Sequence, residues 1–546
     1  MKDAIDFFIS RFRSHLDPPH EPAAYFRPRP YRNAAVSFRK CSLADFDERR
    51  RTLVEEAGLN VFLFRADRIP GCDLLSDSGT GTMTMEQWAA MLLGDEAYGS
   101  NEGYFELKEQ IARTFGPSWR QRPGLRTGEH EPLFIFHQGR AAENAFFSVL
   151  ARELRRFGAP QAKPLSGGLV PELRTRIEHR MRPMRGPVAG DAPFYVIPSN
   201  SHFDTTEGNI ADKLMVPLNL PCPEHLAGDE SFPFRGNMDL AELESLLASE
   251  RERVPVVYLT VTNNTGGGQP VSMENIRRVR EITRAHDVPF FIDACRFAEN
   301  AWFIRRREPG YADRSIESIV HEMFENADGF HISFKKDGLA NIGGALCIRE
   351  ESAFTKRFPK FANELTDYQI MTEGHPTYGG LAGRDLRAIA EGLRTVTRRE
   401  YLDLRIRQVE RFGDRLRRLG IPTINPAGGH AIYIDVDRFF DGGSRDEDLR
   451  GVSLTALLLI AGHRFCELGL YAFGAFDGVR EIPPEPRVNN VRAAVPRLAY
   501  EDRDLLAAAE AVKLIYDHRD RIPAVRVEYG RDLKLRHFKS RYSFVL

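Results

Sequence analysis

Phe330–Asp337 reads FHISFKKD, an apolar run closed by Ser333 and followed by two adjacent lysines, Lys335 and Lys336. Its length and apolar content predict a buried strand over Gly329–Ser333. About forty residues upstream, Phe290–Arg296 reads FFIDACR, a second buried strand ending in Asp293 with Arg296 three positions on. Moving outward, similar runs at Leu133–Phe136, Phe194–Ile197, Val256–Thr262 and Ala345–Ile348 alternate with helical periodicity, as at Met273–His286. That alternation predicts an α/β fold: a mostly parallel sheet with helices on both faces and ligands at the carboxyl ends of the strands.

The residues at those ends suggest a chemistry. A lysine at a strand end in a cleft forms a Schiff base where desolvation or nearby cations leave some neutral amine, although a bare Lys-Lys pair reads more simply as a solvated turn. Asp293 either caps the next helix or holds a pyridinium nitrogen protonated, which turns a pyridoxal ring into an electron sink. Phe134–Arg140, FIFHQGR, places a glycine turn before the helical run AAENAFFSVLAREL, where free N–H groups and the helix dipole favour a phosphate. Ordinary β-α loops look the same. Strand-end Asp followed by strand-end Ser with Lys is the arrangement of the pyridoxal-phosphate enzymes whose large domain is a seven-stranded, mainly parallel sheet.

Composition narrows the class. The 546 residues suggest two to four domains at about 150 residues each. Three segments are expected: residues 1–83 as an arm and part of a small domain, 84–390 as the large cofactor domain, and 391–546 as a smaller α+β domain. Lys plus Arg total 76 against 77 Asp plus Glu, so no basic field holds a nucleic acid. No apolar stretch reaches the roughly 18 residues of a membrane span, and the amphipathic start MKDAIDFFISRFRSH is not a secretory signal. The six cysteines have neither metal-ligand spacing nor disulfide density, which points to reduced thiols and a cytoplasmic location. Residues 160–191, rich in Gly, Pro and Arg, read as a surface insertion with one short helix.

Strings along the chain resemble one family in order. They include DLLSDSGT (Asp73–Thr80), GDEAYGS (Gly94–Ser100), HQGR, HFDTT (His202–Thr206), NNTGGGQPVS (Asn263–Ser272), DACRFAENA (Asp293–Ala301), NIGG (Asn341–Gly344), PTYGGLAGRD (Pro376–Asp385), VRAAVPR (Val491–Arg497) and LRHF (Leu535–Phe538). The chain resembles the aromatic amino acid β-eliminating lyases, tryptophanase and tyrosine phenol-lyase, from about Phe46 to its end. The resemblance implies the pyridoxal-phosphate fold type I and a role for each matching residue. Lys336 would carry the cofactor and remove the substrate's α-proton. Asp293 would pair with the ring nitrogen, Asn264 and Arg296 would lie by the ring hydroxyl, and Phe203 would stack on the ring. Gln138, Gly139, Arg140 and Ser333 would hold the phosphate beside Lys335. Arg492 would grip the substrate carboxylate near Ser76, and Tyr98 would be the general acid that protonates the leaving ring. A monovalent cation, usually potassium, would sit on Glu96 and the carbonyls of Gly79 and Asn341. The family also implies a homotetramer with shared active sites.

Three positions bear on the substrate. Asp204 and His537 match tryptophanase, where the tyrosine enzyme carries threonine and phenylalanine, and Leu468 replaces the arginine that meets a phenol oxygen. An apolar wall with Asp and His suits an indole, whose N–H donates. Tryptophan or a close aromatic analogue is therefore the expected substrate, with a tyrosine-type lyase, a β-replacement or carbon–sulfur lyase, and a non-catalytic cofactor-binding relative as alternatives. Departures from the family are Phe334, where a small residue is usual and a phenyl group would reshape the ring pocket or move Lys335, and also Ser76 and His375.

Overall fold

The computed structural model describes residues 2–15, 25–28, 38–41, 46–124, 131–156, 165, 167–181 and 195–545. The chain forms two compact units, one of Met83–Leu404 and one that joins Met1–Thr82 to Arg405–Leu546. The expected insertion contributes the helix Pro171–Met181, and the rest of 160–191 lies largely outside the described residues, as does Phe194.

Among the described residues the Met83–Leu404 unit has seven strands: β1 (Leu133–Phe136), β2 (Val196–Ser199), β3 (Val216–Asn219), β4 (Val257–Thr260), β5 (Phe290–Asp293), β6 (Gly329–Ser333) and β7 (Gly344–Ile348). Five are hydrogen-bonded in the order β1-β7-β6-β5-β4, and β2 pairs with β3 in a second ladder. Pairs β4–β5, β5–β6 and β2–β3 are parallel, while β7 runs against both its neighbours. Every residue of these strands is buried, as expected of strands covered on both faces. All but β3 are therefore legible as apolar runs and not as alternation.

Asn200, just past β2, links the two ladders. Its Nδ2 donates to the carbonyl of Thr260 at 3.0 Å and its Oδ1 accepts from the Thr260 N–H at 2.8 Å, so a side-chain amide stands in for a peptide group. The strand Val216–Asn219 (VPLN) was not singled out from sequence, because its internal proline argues against a strand.

Helix α1 (Gly139–Arg156) follows β1 and lays Phe146, Phe147 and Leu150 on the sheet. The Phe146 ring lies 5.1 Å from Phe291 and 5.4 Å from Phe361, and its side chain is fully buried. Phe146→Ala is therefore expected to cost about 3–5 kcal/mol, read as a lowered denaturation midpoint with an unchanged slope. A loss under about 1 kcal/mol would mean that the site collapses to fill the void.

The other unit centres on an antiparallel sheet of β8 (Ala431–Asp435), β9 (Cys466–Glu467) and β10 (Asn490–Ala494), with β10 in the middle. The helix Lys2–His15 buries Ile5, Phe8, Ile9 and Phe12, a stripe at helical spacing, in the same core as Phe46 and Leu457. Cys72, Cys222, Cys295, Cys347 and Cys466 are buried thiols outside any disulfide. Among the described residues no helix is long and apolar enough to cross a membrane.

Candidate active site

The residues singled out in the Met83–Leu404 unit gather at the carboxyl ends of its parallel strands. Gln138 follows β1, Phe203 follows β2, Asn264 follows β4, Asp293 ends β5 with Arg296 just beyond, and Ser333 ends β6 before Lys335 and Lys336. Open α/β sheets place their ligands at this edge because the loops there come from adjacent strands.

Asp293 is 4% exposed, and its Oδ1 accepts the N–H of Cys295 at 3.1 Å. It is not the cap of the following helix α2 (Phe297–Arg307). That role falls to Asp337, whose Oδ2 accepts the N–H groups of Ala298 at 2.9 Å and Glu299 at 3.3 Å. The same Asp337 donates its own N–H to the Cys295 carbonyl at 3.4 Å. One carboxylate thus ties the lysine turn to the turn after Asp293. The tie fixes Lys336 against β5, with Lys336 Nζ 3.7 Å from Cys295 Sγ.

His331 is the register partner of Asp293 on the neighbouring strand. Its Nε2 lies 3.4 Å from Asp293 Oδ1 and 3.1 Å from Glu143 Oε1, and Glu143 in turn accepts from the hydroxyls of Thr205 at 3.1 Å and Thr206 at 3.0 Å. All three ionisable groups are buried. Burial alone would lower the imidazole's pKa, but Asp293 and Glu143 outweigh it and push His331 up to about 10. Burial likewise opposes ionisation of Asp293, yet His331, the Cys295 contact and Lys336 hold it well below the usual carboxylate range. Neither His331 nor Glu143 was found from sequence; a histidine inside an otherwise apolar strand was the available signal. Asp293, Cys295 and His331 present ligand atoms within 4.8 Å of one another, and the ion pairs just described account for the two charged members.

Lys335 and Lys336 are half-buried. Burial, then the charges of Lys336 and Arg140, lower the Lys335 pKa, which marks a concentration of cations at this end of the sheet. Ser333 faces the start of α1: a β-carbon on Gly139 would stand 2.6 Å from that of Ser333, and one on Gly344 would stand 2.4 Å from the Gly139 nitrogen. These glycines let the turn after β1 lie directly on the ends of β6 and β7, leaving an N–H-lined cradle at the N-terminus of α1. The cradle, the cations and the buried Asp293 fit pyridoxal phosphate at its two ends. Gly139→Ala is accordingly expected to weaken binding of that cofactor at least about tenfold, since the backbone must retreat to make room; equal retention on dialysis would refute the cradle. Phe334 is fully buried and fills the space beside Gly343 with Ile389 and Leu381.

Phe203, half-buried at the start of the helix Asp204–Asp212, is positioned by His202, whose Nε2 lies 2.8 Å from the Ile197 carbonyl and whose N–H donates to Asn219 at 2.8 Å. Asp204, Asn264 and Arg296 are buried. Tyr98 is 81% exposed, its ring 5.5 Å from Tyr378 and 5.9 Å from His375, and the Tyr378 hydroxyl raises its pKa. Glu96 is exposed and ion-paired with Arg384, while Asn341 follows the lysine turn.

The other unit collects the remaining candidates. Arg492, buried on β10, donates from Nη2 to the Leu75 carbonyl at 3.0 Å, next to Ser76. The turn carrying Ser76 and Gly79 is pinned by a buried pair, Arg497 with Asp77 at 2.8 Å. Leu468 is 3% exposed and packs in a small core with Tyr433 and Cys466, against which Phe62 and Leu75 lie. The ring of His537 stands 5.6 Å from that of Phe62. Phe62, absent from the sequence reading, thus connects Leu468 to His537.

Two buried histidines predict an acid limb of stability. Burial draws His202, and burial with the charge of Arg235 draws His225, down to about 4. Their native values lie below the unfolded one, so their contribution is complete above about pH 6.5 and is lost as pH falls toward 4, about 3 kcal/mol each at most. The melting temperature should fall across that window, and His202→Gln should flatten the fall. An unchanged slope would show that His202 is not buried neutral.

The Beta-eliminating lyase family model matches residues 73–511. Tryptophanase from Hyphomonas neptunium is 38% identical over 496 residues, 91% of this chain and 95% of its own. Tyrosine phenol-lyase from Clostridium tetani is 35% identical, covering 91% of this chain and 94% of its own. A probable β-eliminating lyase from Trichomonas vaginalis is 37% identical over 90% and 93%. Among solved structures, a serine palmitoyltransferase from Sphingomonas wittichii aligns with TM-score 0.48 at 12% identity over 83% of this chain and 88% of its own.

Proposed function

Because the chain belongs to the β-eliminating lyase family, we propose that it is a pyridoxal-phosphate-dependent carbon–carbon lyase that cleaves L-tryptophan, or a close aromatic analogue, to the arene, pyruvate and ammonia. The observation that carries the reading is the strand-end set of buried Asp293, the Lys336 amine and the glycine cradle at α1. Bound there, pyridoxal phosphate supplies an electron sink for the substrate's α-carbon. Lys336 attaches the cofactor and moves the α-proton, and Asp293 keeps the ring nitrogen protonated. Gly139, Arg140, Ser333 and Gln138 hold the phosphate, with Lys335 balancing its charge. Phe203, Asn264 and Arg296 orient the ring. Arg492 grips the substrate carboxylate as a two-pronged donor, which aligns the bond to be broken.

Leu468 supports an indole over a phenol, since its apolar side chain, packed with Tyr433 and Phe62, cannot itself meet a phenolate oxygen. Asp204 and His537 supply the polar contacts for an indole N–H. Elimination also needs the ring carbon protonated, and Tyr98 is the acid assigned to that step. Its exposure in a single chain supports a working homotetramer in which a neighbouring subunit encloses it. Potassium on Glu96, Gly79 and Asn341 would order the tyrosine's loop; for that, Glu96 must exchange its partner Arg384.

The test is pyruvate release from L-tryptophan, L-tyrosine and S-alkyl cysteines in matched assays with potassium and with sodium. Tryptophan should give the highest kcat/KM. Turnover of the cysteine derivatives alone would overturn the substrate assignment, and a preference for tyrosine would move it to the second branch of the family.

A further inference from the structure

His331 occupies a position that the lyase chemistry just proposed does not use. Its imidazole is 1% exposed, lies in register with Asp293 on the adjacent parallel strand, and places Nε2 between two carboxylates, Asp293 at 3.4 Å and Glu143 at 3.1 Å. Glu143 sits on α1, one turn past the cradle, and its two oxygens are held by the hydroxyls of Thr205 and Thr206. Tyr258 on β4 covers the imidazole at 5.6 Å between ring centres, and Cys295 donates its N–H to the same Asp293 oxygen, with Lys336 Nζ 3.7 Å from the Cys295 sulfur.

Two buried carboxylates this close to one nitrogen require a cation between them. With a neutral residue in its place, one of the two acids would have to take up a proton.

We propose that His331 is a positioning residue for the cofactor pocket, a buried cation that keeps Asp293 anionic and aimed at the edge of the sheet where the ring nitrogen would sit. The inference rests on the assignment of Asp293 to that nitrogen. It adds a chain of contacts, Thr205 and Thr206 to Glu143 to His331 to Asp293, that joins the phosphate end of the site to the pyridine end through protein groups alone. A carboxylate flanked in this way has its orientation restricted, as outer partners restrict metal ligands.

The test separates the charge of His331 from its packing. Cofactor affinity is measured by equilibrium dialysis of pyridoxal phosphate for the wild type, His331→Gln, Glu143→Gln and the double variant. The protonation of the bound ring nitrogen is read from its 15N shift with labelled cofactor. His331→Gln should weaken binding about tenfold or more and shift the ring nitrogen toward its neutral form. The double variant, which deletes equal and opposite charges, should recover much of both.

A double variant no better than His331→Gln, or a His331→Gln protein with wild-type affinity and a protonated nitrogen, would overturn the proposal. A measurement that needs no variant protects against misfolding: in the wild-type apoprotein the His331 ring should still show imidazolium resonances near about pH 8, and a neutral ring there would equally refute it. Failure of the wild type to bind the cofactor at all would instead refute the reading beneath.

Discussion

Lys336→Ala is expected to abolish amino acid turnover while leaving the molecule folded. The side chain is half-buried, and its amine makes a 3.7 Å contact with Cys295 Sγ, so its removal uncovers little apolar surface and leaves no charge without a partner. The backbone around it is held independently, through Asp337 on the N-terminus of α2 and through the Ala340 N–H on the Phe334 carbonyl at 3.1 Å. Loss of a positioned general base alone costs about 10²–10⁴ in rate, and loss of the covalent attachment point adds to it, so pyruvate release should fall by at least about 10⁴. Lys335→Ala is the control. Its amine is crowded by Lys336 and Arg140, as a phosphate neighbour's would be, and its loss should weaken cofactor binding with much of kcat retained. Borohydride reduction followed by peptide mapping decides the matter: the label belongs on Lys336. Label on Lys335, or persistent activity in Lys336→Ala, would end the proposed chemistry.

The lysine turn shows what a sequence discloses and what it withholds. Strand ends were legible because β5 and β6 are buried on both faces and therefore read as largely apolar runs stopping at Asp293 and Ser333. The order of those ends along the chain, with the glycine turn after β1, pointed to the cofactor class. The contacts that hold the ends together were not legible. Asp337 was simply the last letter of KKD, yet it caps a helix forty residues upstream; no local pattern encodes a cap supplied from another loop. Likewise the pairing of His331 with Glu143 joins residues far apart in the chain, and only the register of β6 against β5 brings His331 beside Asp293. Of the two readings of Asp293, cap or cofactor partner, the cap reading falls because Asp337 accepts the N–H groups at the start of the helix. Phe334 shows the opposite limit: it breaks the family pattern in one dimension, and in the turn after β6 it is buried against Gly343.

Asp293→Asn should be nearly as damaging as loss of Lys336, and in a way that links function to stability. Asparagine keeps the shape but cannot balance a protonated ring nitrogen, so the electron sink weakens, and a rate loss of at least about 10³ is expected for an interaction realised through a buried ion pair. The same change leaves His331 with Glu143 as its only anion. A buried ionic network that loses one member is destabilised by up to about 3–5 kcal/mol. The pH dependence carries the sign. His331 has a native pKa above its unfolded value, so its contribution is complete below about pH 6.5 and drains as pH rises toward about 10. With one anion gone that native value falls, so the alkaline limb of the stability curve should move to lower pH in Asp293→Asn. The opposing term is Asp293 itself, whose depressed pKa stabilises the wild type above about pH 4 and is lost in acid; the variant should lack that acid-sensitive part. Glu143→Gln separates the two roles, because it also deprives His331 of an anion but touches no atom of the proposed ring site. It should reproduce the alkaline shift in melting temperature with a far smaller loss of turnover. If the two variants lose activity equally, Asp293 acts only by holding the fold, and its place opposite the ring nitrogen is wrong.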